Sequence, residues 1–120
     1  VTLRAARESH SGRVIAIFQP HLRSRTRDLL TEFGGAFHDA DLVVLTDIYQ
    51  PRKDGVESFD VWLLVDEVRG NEPGKRIDLV REKGEIAAHL LPELREGDMV
   101  ITIGAGDVVE VGPKLLELLR

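Results

Sequence analysis

Residues 14–18 read Val-Ile-Ala-Ile-Phe, an apolar run with no polar position in it. A strand with one face in water alternates apolar and polar residues, and a buried helix needs a longer stretch. A short, unbroken, β-branched run therefore reads as a strand covered on both faces, the interior position of a parallel sheet. Leu42 to Thr46 (LVVLT), within a second expected strand over 41–48, repeats the pattern. Parallel neighbours need crossover connections, and the intervening segments have helical spacing. Residues 2–8 read as a helix with Leu3 and Ala6 inward, ended by Gly12. Ser24 to Phe33 reads as one helix carrying Leu29, Leu30 and Phe33, with Ser24 or Thr26 as its cap and Gly34-Gly35 as its stop. Val61, Leu64, Val65 and Val68 follow the i, i+3, i+4, i+7 rule over 59–69, with Gly70 as the C-terminal signal. Residues 49–57 and 71–75 are loop and turn, 76–80 a weak third strand, and 99–103 a fourth. Glu85 to Leu91 reads as a helix with Ile86, Leu90 and Leu91 inward, closed by Pro92. Pro113 suits the first turn of a last helix over 113–120. The expectation is an α/β domain: a doubly wound, mostly parallel sheet with helices on both faces.

A length of 120 residues suits one domain, expected to span 1–120. A composition of 42% hydrophobic and 31% charged residues is globular. A formal charge of −5 argues against sequence-independent nucleic-acid binding by the domain as a whole. The absence of cysteine excludes disulfides, cysteine-ligated zinc and a thiol nucleophile. No apolar run approaches the roughly 20 residues needed to cross a bilayer, and the start, VTLRAARESH, has no apolar h-region. A cytoplasmic setting is the expectation. Because the first residue is not Met, the chain is also expected to be part of a longer product.

In doubly wound folds ligands bind outside the carboxyl ends of the strands, which points to residues 19–25, 47–50 and 104–107. The first stretch, FQPHLRSRTR, sets His21, Arg23, Arg25 and Arg27 at a strand end and across a first helical turn. Cations oppose a helix dipole there, so the cluster breaks a local rule. Free N–H groups and guanidinium forks favour an anion, carboxylate or phosphate. The alternative is pairing with Asp28, Glu32 or Asp47. The second stretch, ITIGAGDV, is a tight turn in which Gly104 and Gly106 allow close approach. It is neither G-x-G-x-x-G nor a P-loop; the alternative is that the glycines supply permissive dihedrals and Asp107 caps a short helix. In the third, Asp47 and Tyr49 either meet a ligand or order the loop, and Asp47 is as readily a partner for the arginines. His38 and His89 are expected near the surface, Trp62 as a core or interface anchor. No histidine spacing suggests a metal, and no G-x-S-x-G elbow occurs.

FQPH-x-x-SRTRDL, LVVLTDIY and GDMVITIGAGDV, in this order and spacing, closely resemble the C-terminal domain of the Mur ligases of peptidoglycan synthesis. Within that family they are most like the members that join L-alanine to UDP-N-acetylmuramate. The likeness covers essentially the whole chain and is firmest over 3–48 and 95–118. It implies a Rossmann-like domain that binds the incoming amino acid and closes over a central ATPase domain. The full-length enzyme would use ATP and Mg2+ to make an acyl phosphate that the amine of L-alanine attacks. On this resemblance His21 and Arg25 fall on the family's amino-acid-binding loop, with Arg23 beside them. Asp47, Tyr49, Gly104, Gly106 and Asp107 are possible supporting residues. The chain departs from the family at HLRSRT, where many relatives read HRYSRT, so Leu22 stands where a basic residue is common. The P-loop and the DDYGHHP-type segment are missing, so the resemblance implies an excised domain without the N-terminal UDP-sugar and central ATPase domains. That domain would carry no catalytic residue or metal of its own, hold no cofactor tightly and be inactive in isolation. Two alternatives stand beside it: the corresponding domain of a recycling ligase that adds a tripeptide, and a stand-alone anion- or nucleotide-binding module.

Overall fold

The computed structural model describes residues 2–50, 53, 55–56, 58–104 and 106–119. Four strands form one all-parallel sheet in the order β3-β2-β1-β4: β1 (Val14–Gln19), β2 (Leu42–Leu45), β3 (Arg76–Leu79) and β4 (Met99–Gly104). The two unbroken apolar runs are the two central strands. Every residue of β1 and β2 is buried, as strands sandwiched between helical layers must be.

Alternation along these strands divides the core in two. Val14, Ala16, Phe18, Val43 and Leu45 face one side, where α1 (Thr2–Ser9), α3 (Leu30–Gly34) and α4 (Trp62–Asn71) supply Leu3, Phe33, Leu64, Val65 and Val68. Ile15, Ile17, Leu42 and Val44 face the other, against α5 (Ile86–Leu90) and α6 (Val111–Leu119) with Ile86, Leu90, Val111 and Leu115. The chain steps from β1 to β2 to β3 in one direction. It then crosses through α5 to β4 on the far side of β1. The strand order therefore reverses between β1 and β4, and the crevice at their carboxyl ends is the topological switch point.

Four local expectations are corrected. The helix expected over 24–33 is two short helices, α2 (Arg23–Asp28) and α3, broken at Leu29 (φ −106°, ψ 18°). The break turns Leu29 outward to 42% exposure. Neither Ser24 nor Thr26 is the cap. Leu22 occupies that position at φ 64°, and buried Thr26 turns its hydroxyl back to donate to the Leu22 carbonyl (2.8 Å). Helix α4 runs through Gly70 to Asn71, because Gly70 does not take the positive φ with which a glycine ends a helix. Trp62 is not core: it is 45% exposed on α4, with the Arg69 guanidinium over its ring at 5.5 Å. Leu91 is only half-buried, at the start of a 3-10 turn over Leu91–Glu93 that accommodates Pro92.

Candidate functional site at the switch point

The loop leaving β1 is fastened mostly by backbone. Tyr49 N–H donates to the Pro20 carbonyl and Leu22 N–H donates to the Tyr49 carbonyl, both at 2.8 Å, so segment 20–22 runs beside segment 49–50. The His21 and Tyr49 rings stack with centroids 5.5 Å apart and planes 18° from parallel. Leu22 is the one non-glycine residue with positive φ among the described residues. Such a conformation costs on the order of 1–3 kcal/mol and persists where the surroundings over-determine it. Here the Leu22 side chain is buried, its N–H is used, and its carbonyl accepts from both the N–H and the hydroxyl of Thr26. An aliphatic side chain thus pins the loop at position 22.

The three arginines have different surroundings. Arg23 is half-buried; its Nε donates to the Phe59 carbonyl (3.0 Å), and its N–H is taken by Gln50 Oε1 (2.8 Å). Arg27 lies on exposed Asp28 (3.1 Å). Arg25 is exposed, and its guanidinium has no hydrogen-bond or ion-pair partner among the described residues, while its carbonyl accepts from the Leu29 N–H (2.9 Å). Because α2 has only six residues and its first N–H is occupied, helix-end polarity contributes little to anion binding here. Among the described residues, the Arg25 guanidinium is the one of the three with no partner.

Asp47 does not pair with the arginine cluster. Its carboxylate accepts from Arg81 Nη1 (2.8 Å), an arginine that follows β3 and that sequence spacing had not singled out. Arg81 also holds Asp60 by both nitrogens, each at 2.9 Å. That pair, with the Trp62 N–H on the same carboxylate, lowers the Asp60 pKa to about 2. A cavity of about 180 Å³ opens here, lined by Gln19, Asp47, Tyr49, Gln50 and Arg81 among others. Gln19 is buried, and its Oε1 has no hydrogen-bond partner among the described residues. Such an orphan acceptor is rare in a folded interior.

Gly104 lies beside Gln19 in the sheet, at φ 134°. A Cβ there would meet the Gln19 carbonyl oxygen at 2.4 Å, so the glycine is required by strand packing. The side on which a Cβ would project faces the protein's own backbone. Gly106 opens a 3-10 turn over Gly106–Glu110. Ala105 and the side chain of Asp107 lie outside the described residues, as does any capping role of Asp107.

One group elsewhere has metal-ligand chemistry. Asp78, His89 and Glu93 offer atoms within 4.8 Å of one another, a meeting that sequence spacing had not suggested. Arg76 already binds both carboxylates, and His89 donates to or accepts from Asp78 at 2.8 Å. A guanidinium in the middle of the group makes it an ion-pair clasp between β3 and α5.

The sheet order and the crevice define a doubly wound α/β domain whose basic strand-end segment stands at the switch point. The family described as "Mur ligase, glutamate ligase domain" matches residues 1–106, and the chain belongs to that family. Proteins called UDP-N-acetylmuramate–L-alanine ligase from Myxococcus xanthus and Cutibacterium acnes are 43% and 48% identical to it. Each match takes in 99% of this chain and 25% of the relative, so the chain spans about a quarter of their length. The UDP-N-acetylmuramate–alanine ligase of Thermotoga maritima superposes with a TM-score of 0.73 at 24% identity, over 98% of this chain and 23% of that one. A domain described as that of a UDP-N-acetylmuramate:L-alanyl-γ-D-glutamyl-diaminopimelate ligase from Haemophilus ducreyi gives 0.65 at 23% identity, over 99% of this chain and 79% of that one. These two structures share the fold.

Proposed function

We propose that this chain is the amino-acid-binding C-terminal domain of an ATP-dependent ligase that joins L-alanine to UDP-N-acetylmuramate in the cytoplasm. The observation that carries the reading is Arg25: an exposed guanidinium on α2 with no partner among the described residues, beside a loop whose backbone is fastened at Pro20, Leu22 and Tyr49. A guanidinium fork matches a carboxylate in shape and charge. Arg25 receives the carboxylate of L-alanine, Arg23 adds a second positive charge beside it, and the His21–Tyr49 stack forms a wall. The relatives that match the whole chain at 36–48% identity are named as alanine ligases, which favours alanine over a tripeptide.

Among the described residues no group fits ATP or Mg2+. There is no G-x-x-x-x-G-K-[ST] motif, Gly104 packs on β1, and the Asp78 group is occupied by Arg76. ATP, which activates the muramoyl carboxylate when bound, is therefore assigned to the rest of the longer enzyme. Its central ATPase domain is the partner over which this one closes.

The test replaces the matching quarter of the Myxococcus xanthus ligase with this chain. Alanine-dependent phosphate release is expected from the chimera and not from the 120-residue chain alone. Arg25→Ala should raise the KM for alanine by roughly tenfold or more, as loss of a charge-assisted contact does, and leave the KM for ATP nearly unchanged. Equal loss of both, no loss, or ligation by the chain alone overturns the reading.

A further inference from the structure

Arg81 stands across β2 from the arginine loop, yet two separate paths connect it to that loop. Its Nη1 donates to Asp47 Oδ1 (2.8 Å) and Asp60 Oδ1 (2.9 Å), and its Nη2 to Asp60 Oδ2 (2.9 Å). Its carbonyl accepts from the Thr46 hydroxyl (2.8 Å) and the Asp47 N–H (3.2 Å). One path continues from Asp47 to Tyr49, whose backbone bonds Pro20 and Leu22 and whose ring stacks on His21. The other continues from Asp60 to its neighbour Phe59, whose carbonyl holds Arg23 Nε at 3.0 Å.

We propose that Arg81 is a positioning residue of the amino-acid site, setting the places of Arg23 and of the His21–Tyr49 wall by holding Asp47 and Asp60 together. The proposal rests on the reading of the loop as the alanine carboxylate site.

Two physical points favour a geometric role over a stabilising one. All three side chains are about half exposed, and ion pairs of that kind contribute little to global stability. What Arg81 does supply is direction. One planar fork meets three carboxylate oxygens on two loops, which a lysine ammonium, a point charge, cannot reproduce. Without it, two carboxylates of like charge face each other at the carboxyl ends of the strands, and the segments that carry them separate.

The test uses the same chimeric ligase. Arg81→Ala should raise the KM for alanine roughly ten- to a hundredfold, the scale that misplacement by about an ångström produces. The KM for ATP, kcat at saturating alanine and the thermal midpoint should stay near those of the parent. Arg81→Lys should restore part of the loss. Asp60→Asn should add less on top of Arg81→Ala than it costs alone, because both act through one contact. An unchanged alanine KM in Arg81→Ala, while Arg25→Ala raises it, overturns this proposal and leaves the functional reading intact. An alanine KM unmoved by Arg25→Ala overturns the functional reading itself. Should Arg81→Ala fail to fold, a folded Arg81→Lys with the parent's alanine KM assigns Arg81 a structural role and overturns the proposal.

Discussion

Leu22 and Asp60 show what single residues do here. The first is an aliphatic side chain held at positive φ beside a loop of arginines, and burial together with three backbone and hydroxyl hydrogen bonds keeps it there. Asp60 makes a prediction in solution. The Arg81 guanidinium lowers its pKa from 3.8 to about 2. A carboxylate whose folded pKa is depressed stabilises the fold above its unfolded pKa and loses that contribution as the pH falls through the folded one. The Asp60 contribution is therefore complete above about pH 4 and disappears between there and about pH 2. Solvent screening at a half-exposed site keeps it small. Asp60→Asn should flatten that section of the acid limb in a urea-midpoint titration; an unchanged limb would show that Arg81 does not hold Asp60 in solution. At this scale the basic cluster was legible, because a row of arginines at a strand end violates local preference. The partner of Asp47 was not. Arg81 lies 34 residues away, and only the pairing of β2 with β3 brings the two together.

At the level of elements, periodicity located the segments and left their faces open. Helix α6 contains Leu115, Leu116, Leu118 and Leu119, which sequence alone does not rank. Only Leu115 is buried, at 3% exposure against 61% for Leu116. Leu115→Ala should cost about 2–5 kcal/mol, as a buried truncation does, and Leu116→Ala within about 0.5 kcal/mol, as an exposed one does. Chemical denaturation of the two variants checks this, and equal losses would contradict the packing. At the β4 end, Gly104→Ala combines a positive-φ penalty with a 2.4 Å clash on the Gln19 carbonyl. A loss of about 2–4 kcal/mol is expected from strain and overpacking together, measured in the same way; a neutral substitution would show that β1 and β4 are not in this register. The break at Leu29 lay beyond sequence pattern for a related reason. Leu29, Leu30 and Phe33 are spaced for one helix, and the fastening of the loop at Leu22 fixes where α2 starts and so which side chains reach the core.

For the molecule as a whole, the two halves of the core share one sheet, since β1 and β2 send alternate residues into each. Truncating either half should therefore weaken a single cooperative transition. Leu64→Ala on one side and Ile86→Ala on the other are each expected to cost about 2–5 kcal/mol. Circular dichroism and the fluorescence of Trp62, the single tryptophan, should remain coincident in both. Separate transitions would mean that the two layers fold independently. What the sequence by itself determined was the parallel α/β class, its central strands and the basic stretch at the end of the first of them. Each is encoded locally, in hydrophobic period, in turn residues and in an improbable density of arginine. Tertiary structure alone decided the strand order, the switch point between β1 and β4, and the division of labour among the charges. It left the Arg25 guanidinium without a partner among the described residues, turned Arg23 onto the Phe59 carbonyl, and gave Asp47 to Arg81. Ion pairs form between groups a few ångströms apart in space, and that nearness is set by how strands associate across long stretches of chain.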